Sequence, residues 1–195
     1  MAWQPTSLVQ EYGGKFQYLA QQGLVFAARS GAAAAIPVNT TLTNSPTLWN
    51  PASSGKNVIL LGISFSFATL GTQVIDGFTL SFLANAGDGV GTAAPVVTFT
   101  NIAPVCTKIG SGLGCSTKFA NATVTFTTQP AAFMDLGMGQ NLNGTAANGE
   151  PYNQLRYEFN GEVIMQPGTT ISVGAATAAT SGTYWTTILF AEVPI

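Results

Sequence analysis

The sequence predicts an all-β fold: an antiparallel β-sandwich, a jelly roll of about eight strands. Three observations point there. Gly (22) and Pro (10) accompany many Thr, Asn and Ser among 195 residues, a composition that favours strands and turns over long helices. Apolar residues recur at period two. Several connections are longer than tight hairpins, which favours crossed connections over a simple meander.

Residues 1–22 lack a clean period and read as an N-terminal arm, leaving 23–195 as the sandwich domain. A short strand is expected at 23–29, followed by Ala-, Thr-, Asn- and Pro-rich loops with brief extended pieces up to Pro51. Over 57–69, Ile59, Leu61, Ile63, Phe65 and Phe67 share one face, taken as the inward one. Val58, Leu60, Gly62, Ser64, Ser66 and Ala68 share the other. Over 73–84, Val74, Asp76, Phe78, Leu80 and Phe82 alternate with Ile75, Gly77, Thr79, Ser81 and Leu83. Residues 85–89 form a turn cluster, and 95–102 and 118–128 are Val/Thr/Phe-rich strands. A short strand is expected at 132–136, then a Gly/Asn loop over 137–151. Over 154–165, Leu155, Tyr157, Phe159, Gly161, Val163 and Met165 line one side of a single strand. Pro167-Gly168 turns the chain into strands at 169–174 and 182–193. No repeat of 20–50 residues is present.

Charge constrains function more than any motif. Charged residues make up 7% of the chain, against about 25% in ordinary soluble domains. The six Lys and Arg are scattered and the net charge is −2, so no basic stripe for nucleic acid exists. Mean hydropathy is +0.30, yet the longest apolar run, 58–70, is interrupted by Gly62, Ser64, Ser66 and Thr69, so no spanning helix is expected. The first six residues lack the basic start and apolar centre of a secretion signal.

Histidine is absent, which removes Ser-His-Asp and Cys-His catalysis and His-containing zinc sites. Glu158 and Glu162 share a strand face, as a pair of glycosidase acids would, but that face reads as solvent. Ser54-Gly55-Lys56 lacks the first glycine of a phosphate loop and leads into a strand, so it reads as a turn. Asn85 and Asp88 supply too little charge for calcium and read as an Asx-type turn. Three Asn-X-Thr sequences, at Asn39, Asn121 and Asn143, are read as chance. The expectation is a non-enzyme with no cofactor and no metal.

Cys106 and Cys115 enclose eight residues, 107–114, with three glycines among them. So short a flexible loop can bring two Cα atoms to bridging distance, making the pair a candidate disulfide worth about 2–3 kcal/mol. The alternative is two reduced thiols. The candidate interface residues are aromatic: Trp3, Tyr12, Phe16 and Tyr18 of the arm, Trp49 in a loop-like segment, and Trp185 in the last strand.

The C-terminal third carries a family resemblance. Phe159-Asn-Gly-Glu-Val-Ile-Met-Gln-Pro-Gly168, Thr170-Ile-Ser-Val-Gly174 and Tyr184-Trp-Thr-Thr-Ile-Leu-Phe-Ala-Glu-Val-Pro194 resemble the closing strands of jelly-roll virion proteins of tailed bacteriophages. The likeness spans 157–195, with the general strand pattern upstream. Similar closing strands occur in trimeric tumour-necrosis-factor-like and collagen-tail domains. The resemblance implies a virion structural protein: a capsid decoration, minor capsid or head-fibre protein, commonly a homotrimer, docked on other capsid proteins. The neutral, small-residue composition agrees, because neutral interfaces avoid burying unpaired charge. The competing expectation is a carbohydrate-binding or adhesive β-sandwich, with Trp3, Trp49 or tyrosines as sugar-stacking platforms.

Overall fold

The structure, a computed structural model, describes residues 16–39, 42, 44–69, 77–84, 96–121, 124–126, 128–136, 155–176 and 183–195. One sheet runs, strand by strand, β10 (Leu155–Glu158), β3 (Lys56–Thr69), β13 (Thr183–Pro194), β1 (Val25–Arg29) and β6 (Val105–Cys106). The short β11 (Ile164–Met165) also pairs with β3. The second sheet runs β7 (Lys118–Ala120), β2 (Thr47–Asn50), β12 (Thr169–Ala175), β4 (Phe78–Ala84) and β9 (Ala131–Asp135). A separate two-stranded ribbon joins β5 (Val96–Phe99) to β8 (Val124–Phe126). The two sheets pack face to face as an all-β sandwich.

The wiring is that of a jelly roll. β1 pairs with β13, β2 with β12, β3 with β10 and β4 with β9, all antiparallel. First pairs with last, and so on inward, as when one long hairpin is rolled into two sheets. The tip of that hairpin, between β4 and β9, carries the insertion β5–β8. The insertion adds β6 to the edge at β1 and β7 to the edge at β2. Both additions cover edges that would otherwise present unpaired backbone groups.

The core lies between the sheets. Phe26, Ile63, Phe65, Ile188 and Phe190 from one side meet Leu48, Phe78, Leu80, Phe119 and Val173 from the other. Phe78 stacks on Phe65 with centroids 4.3 Å apart and meets Tyr184 edge-on at 5.4 Å. These contacts set β4 opposite β3 and β13. They therefore put β9 and β10 along one long edge of the sandwich and β6 and β7 along the other.

β3 departs from the uniform alternation expected of it. Val58 and Leu60 enter the core, and so do Ile63 and Phe65. The inward parity switches between residues 60 and 63 because β13 pairs Phe190 with Leu60 but Leu189 with Gly62, leaving Leu61 as the extra residue of a bulge. Ile59 and Leu61, expected inward, instead face the outer side of the sheet. There they pack with Val25, Leu189 and Ala191 beneath Phe16, Leu19 and Ala20. Leu19 and Ala20 belong to a short helix, α1 (Gln17–Gln21), where an irregular arm was expected. Phe67, also assigned inward, has a side chain outside those described.

The single strand expected over 154–165 is two pieces. Asn160 (φ 52°) and Gly161 (φ 84°) form a left-handed turn between β10 and β11. Tyr157, Phe159, Val163 and Met165 still face the core on either side of it, as the alternation predicted. β2 was not singled out among the loops before Pro51; its four residues are too few to show a period. Ser54-Gly55-Lys56 is the expected turn: a 3-10 turn over Ala52–Ser54, then Gly55 at φ 62°, then β3. The calcium and turn reading of Asn85 and Asp88 lies outside the described residues, as does Asn143.

Candidate interaction surface

Trp3 and Tyr12 lie outside the described residues. The other four candidate aromatics do not converge. Phe16 packs half-buried on the outer face of the first sheet, with its ring beside Ile59 and Gly161, and Tyr18 is a half-buried residue of the short helix. Trp185 lies on that face toward the other end of β13, with the Arg29 guanidinium 4.4 Å from its ring centroid. Trp49 lies on the outer face of the second sheet. Phe99 meets it edge-on at 5.5 Å, and the Lys118 ammonium lies 5.1 Å from its ring. The Trp49 ring is therefore engaged within the chain rather than standing free as a platform.

The predicted disulfide is not formed, and both thiols are free. Cys106 is buried and its Sγ points to the Gly23 carbonyl oxygen at 3.5 Å. Cys115 Sγ instead donates to the Thr117 carbonyl oxygen at 3.2 Å. Burial, and then the nearby Glu192 carboxylate, push the Cys115 thiol up to about 12, which suppresses the thiolate that oxidation needs.

Glu192 is the feature sequence reasoning missed. It is the one charged side chain among the buried described residues. Oε2 pairs with Lys56 Nζ at 2.6 Å. Oε1 accepts from the Thr117 amide and hydroxyl, both at 2.7 Å, and from Ser116 Oγ at 3.1 Å. Burial alone would raise this carboxyl. The hydrogen bonds from Lys56 and Thr117 outweigh it and hold the group below its ordinary value. The carboxylate clasps the end of β13 to the start of β3 and to the chain entering β7. Glu192 belongs to the acidic-Val-Pro ending of the last strand, but nothing in a lone Glu near a strand end signals burial. Glu158 and Glu162 are exposed, as expected, and Glu158 pairs with Arg156 on its own strand.

The clasp fixes one end of the glycine-rich loop 107–114. At the other end, the Thr107 amide and hydroxyl both donate to the Val25 carbonyl, at 2.9 and 3.2 Å. Inside it, Ile109 N donates to Thr107 O and Ser111 N to Lys108 O. Gly110 (φ 83°) and Gly112 (φ 67°) occupy left-handed conformations that allow these turns. Leu113 folds back on Gly23, where a Cβ would lie 2.2 Å from its Cδ1. The loop is thus held at both ends while Ile109 stands 84% exposed, Val105 61% and Leu113 48%. On the opposite edge, Phe82 and Phe133 are exposed and meet at 5.4 Å with rings at 87°.

Among the described residues no three His, Cys, Asp or Glu side chains group as metal ligands, and no helix is long and apolar enough to cross a membrane. The fold and its surface define an eight-stranded jelly-roll sandwich with an edge-sealing insertion and apolar side chains at two edges. Comparison with protein-family models, with curated proteins and with solved structures gives no match.

Proposed function

We propose that this chain is a structural protein of a tailed-bacteriophage virion, a jelly roll that self-associates, as a trimer by the family resemblance, and docks on the shell of capsid proteins. The observation that carries the reading is the pairing of a nearly charge-free sequence with large apolar side chains exposed at the sandwich edges. A monomer in water gains nothing from such a surface, whereas a subunit covered by neighbours does. The closing strands that carry the resemblance form β12 and β13, which hold the centres of the two sheets. The buried carboxylate is engaged in a structural clasp, and the exposed Glu158 in a same-strand ion pair.

Two measurements test the reading. Sedimentation velocity on the purified chain should show an oligomer, and mass spectrometry of density-banded virions should find the chain in stoichiometric amount. A compact monomer at every concentration, together with absence from purified particles, would overturn it.

A further inference from the structure

We propose that copies of this chain associate head to tail, with the loop 107–114 of one copy seated on the β9 edge of the next. The inference builds on the self-association proposed above and names its surfaces.

Five of the seven exposed large apolar side chains among the described residues fall into two groups, with Ile164 and Ile195 lying apart from both. Val105, Ile109 and Leu113 belong to β6 and the loop after it. Phe82 and Phe133 belong to β4 and β9. These groups sit on opposite long edges of the sandwich, since β6 ends one sheet and β9 ends the other on the far side. Their shapes are complementary. The loop projects Ile109 as a knob whose backbone is already fixed by the hydrogen bonds at its two ends, so little ordering is lost on docking. The opposite edge offers a corner between two perpendicular rings, opened by a bulge in β9: Leu80 pairs with Met134 and Ser81 with Ala132, so Phe133 is the extra residue.

Charge agrees with shape. Lys108 is exposed beside Ile109, and Asp135 is exposed two residues from Phe133. Neither forms an ion pair among the described residues. A symmetric contact through the loops would set Lys108 against Lys108 and leave the phenylalanines uncovered. A head-to-tail contact joins Lys108 to Asp135 and covers both apolar groups. Such a contact is heterologous, and repeating it closes a ring when the rotation per copy permits.

The test is sedimentation velocity of the full chain and its variants, with circular dichroism as a check on folding. Ile109→Asp and Phe133→Ser should each weaken association about 30-fold or more. Mixed one to one, they should form a heterodimer, because one copy keeps an intact corner and the other an intact knob. Lys108→Glu and Asp135→Lys should each weaken association, and the double variant should recover it; these exposed sites keep the test decisive should Phe133→Ser fail to fold. Association that survives all four substitutions would overturn the proposed seat while leaving self-association standing. Single variants that dissociate but fail to complement when mixed would show a symmetric contact instead. A wild-type chain that never associates would overturn both proposals.

Discussion

Glu192 and Glu158 are both ion-paired carboxylates on strands of the same sheet, yet they sit in opposite physical regimes. Glu192 is fully buried, and its two oxygens take four hydrogen bonds from three residues on two other stretches of chain. Glu158 is half exposed and pairs with Arg156, two residues away on the same edge strand. The first pair spans 136 residues of sequence and ties distant elements. The second ties a strand to itself. Burial raises the cost of breaking a pair, and sequence separation decides what the break releases.

The largest expected effect is on Glu192. Glu192→Ala orphans the Thr117 amide and hydroxyl and leaves Lys56 without its partner, and should cost about 3 kcal/mol in urea denaturation. Acid should reproduce part of that loss. The folded group titrates below its ordinary value, so its stabilisation is complete above the unfolded value of about 4.3 and disappears as pH falls through the folded value. A Tm-versus-pH series from neutral to about pH 3 should therefore fall more steeply in the wild type than in Glu192→Gln.

A smaller effect reads the same clasp through its neighbour. Because the Glu192 charge helps to raise the Cys115 thiol, alkylation of Cys115 at mildly alkaline pH should be faster in Glu192→Gln, by up to about tenfold. Equal rates in the two proteins would show that burial alone protects the sulfur. The smallest effect belongs to the exposed pair. Glu158→Ala should change stability by no more than about 0.5 kcal/mol, and a double-mutant cycle with Arg156→Ala should lose its coupling in 1 M salt. The Lys56–Glu192 coupling, shielded by protein, should persist there.

Much of the architecture was legible in the sequence. Period-two runs placed β3 and β4 close to their observed positions, since one buried face per strand forces that pattern, and the turn- and loop-bounded segments placed β1, β9, β12 and β13. What escaped was governed by pairing. The Leu61 bulge arises from how β13 registers against β3, and no local signal near Leu61 announces it. The Asn160-Gly161 turn was visible as a dipeptide, but the regular alternation around it masked the break. The candidate surface was legible only in part: aromatics were the evident anchors, yet Trp49 and Trp185 are engaged by Lys118 and Arg29 of the same chain. The large apolar side chains left exposed among the described residues are Val105, Leu113, Phe82, Phe133, Ile109, Ile164 and Ile195. Nothing in their residue type distinguishes them from core residues.

The pairing of β1 with β13 has a consequence for how the molecule comes to be folded. β13 is a central strand, hydrogen-bonded to β1 on one side and β3 on the other. It is also made after every other described strand. β1 and β3 must wait through more than a hundred residues of synthesis before the partner that joins them exists, and loop closure over such separations makes the barrier high and folding slow. In that interval the apolar faces of both strands are open to other nascent copies. Deleting Thr183–Pro194 would remove the seam of the sheet.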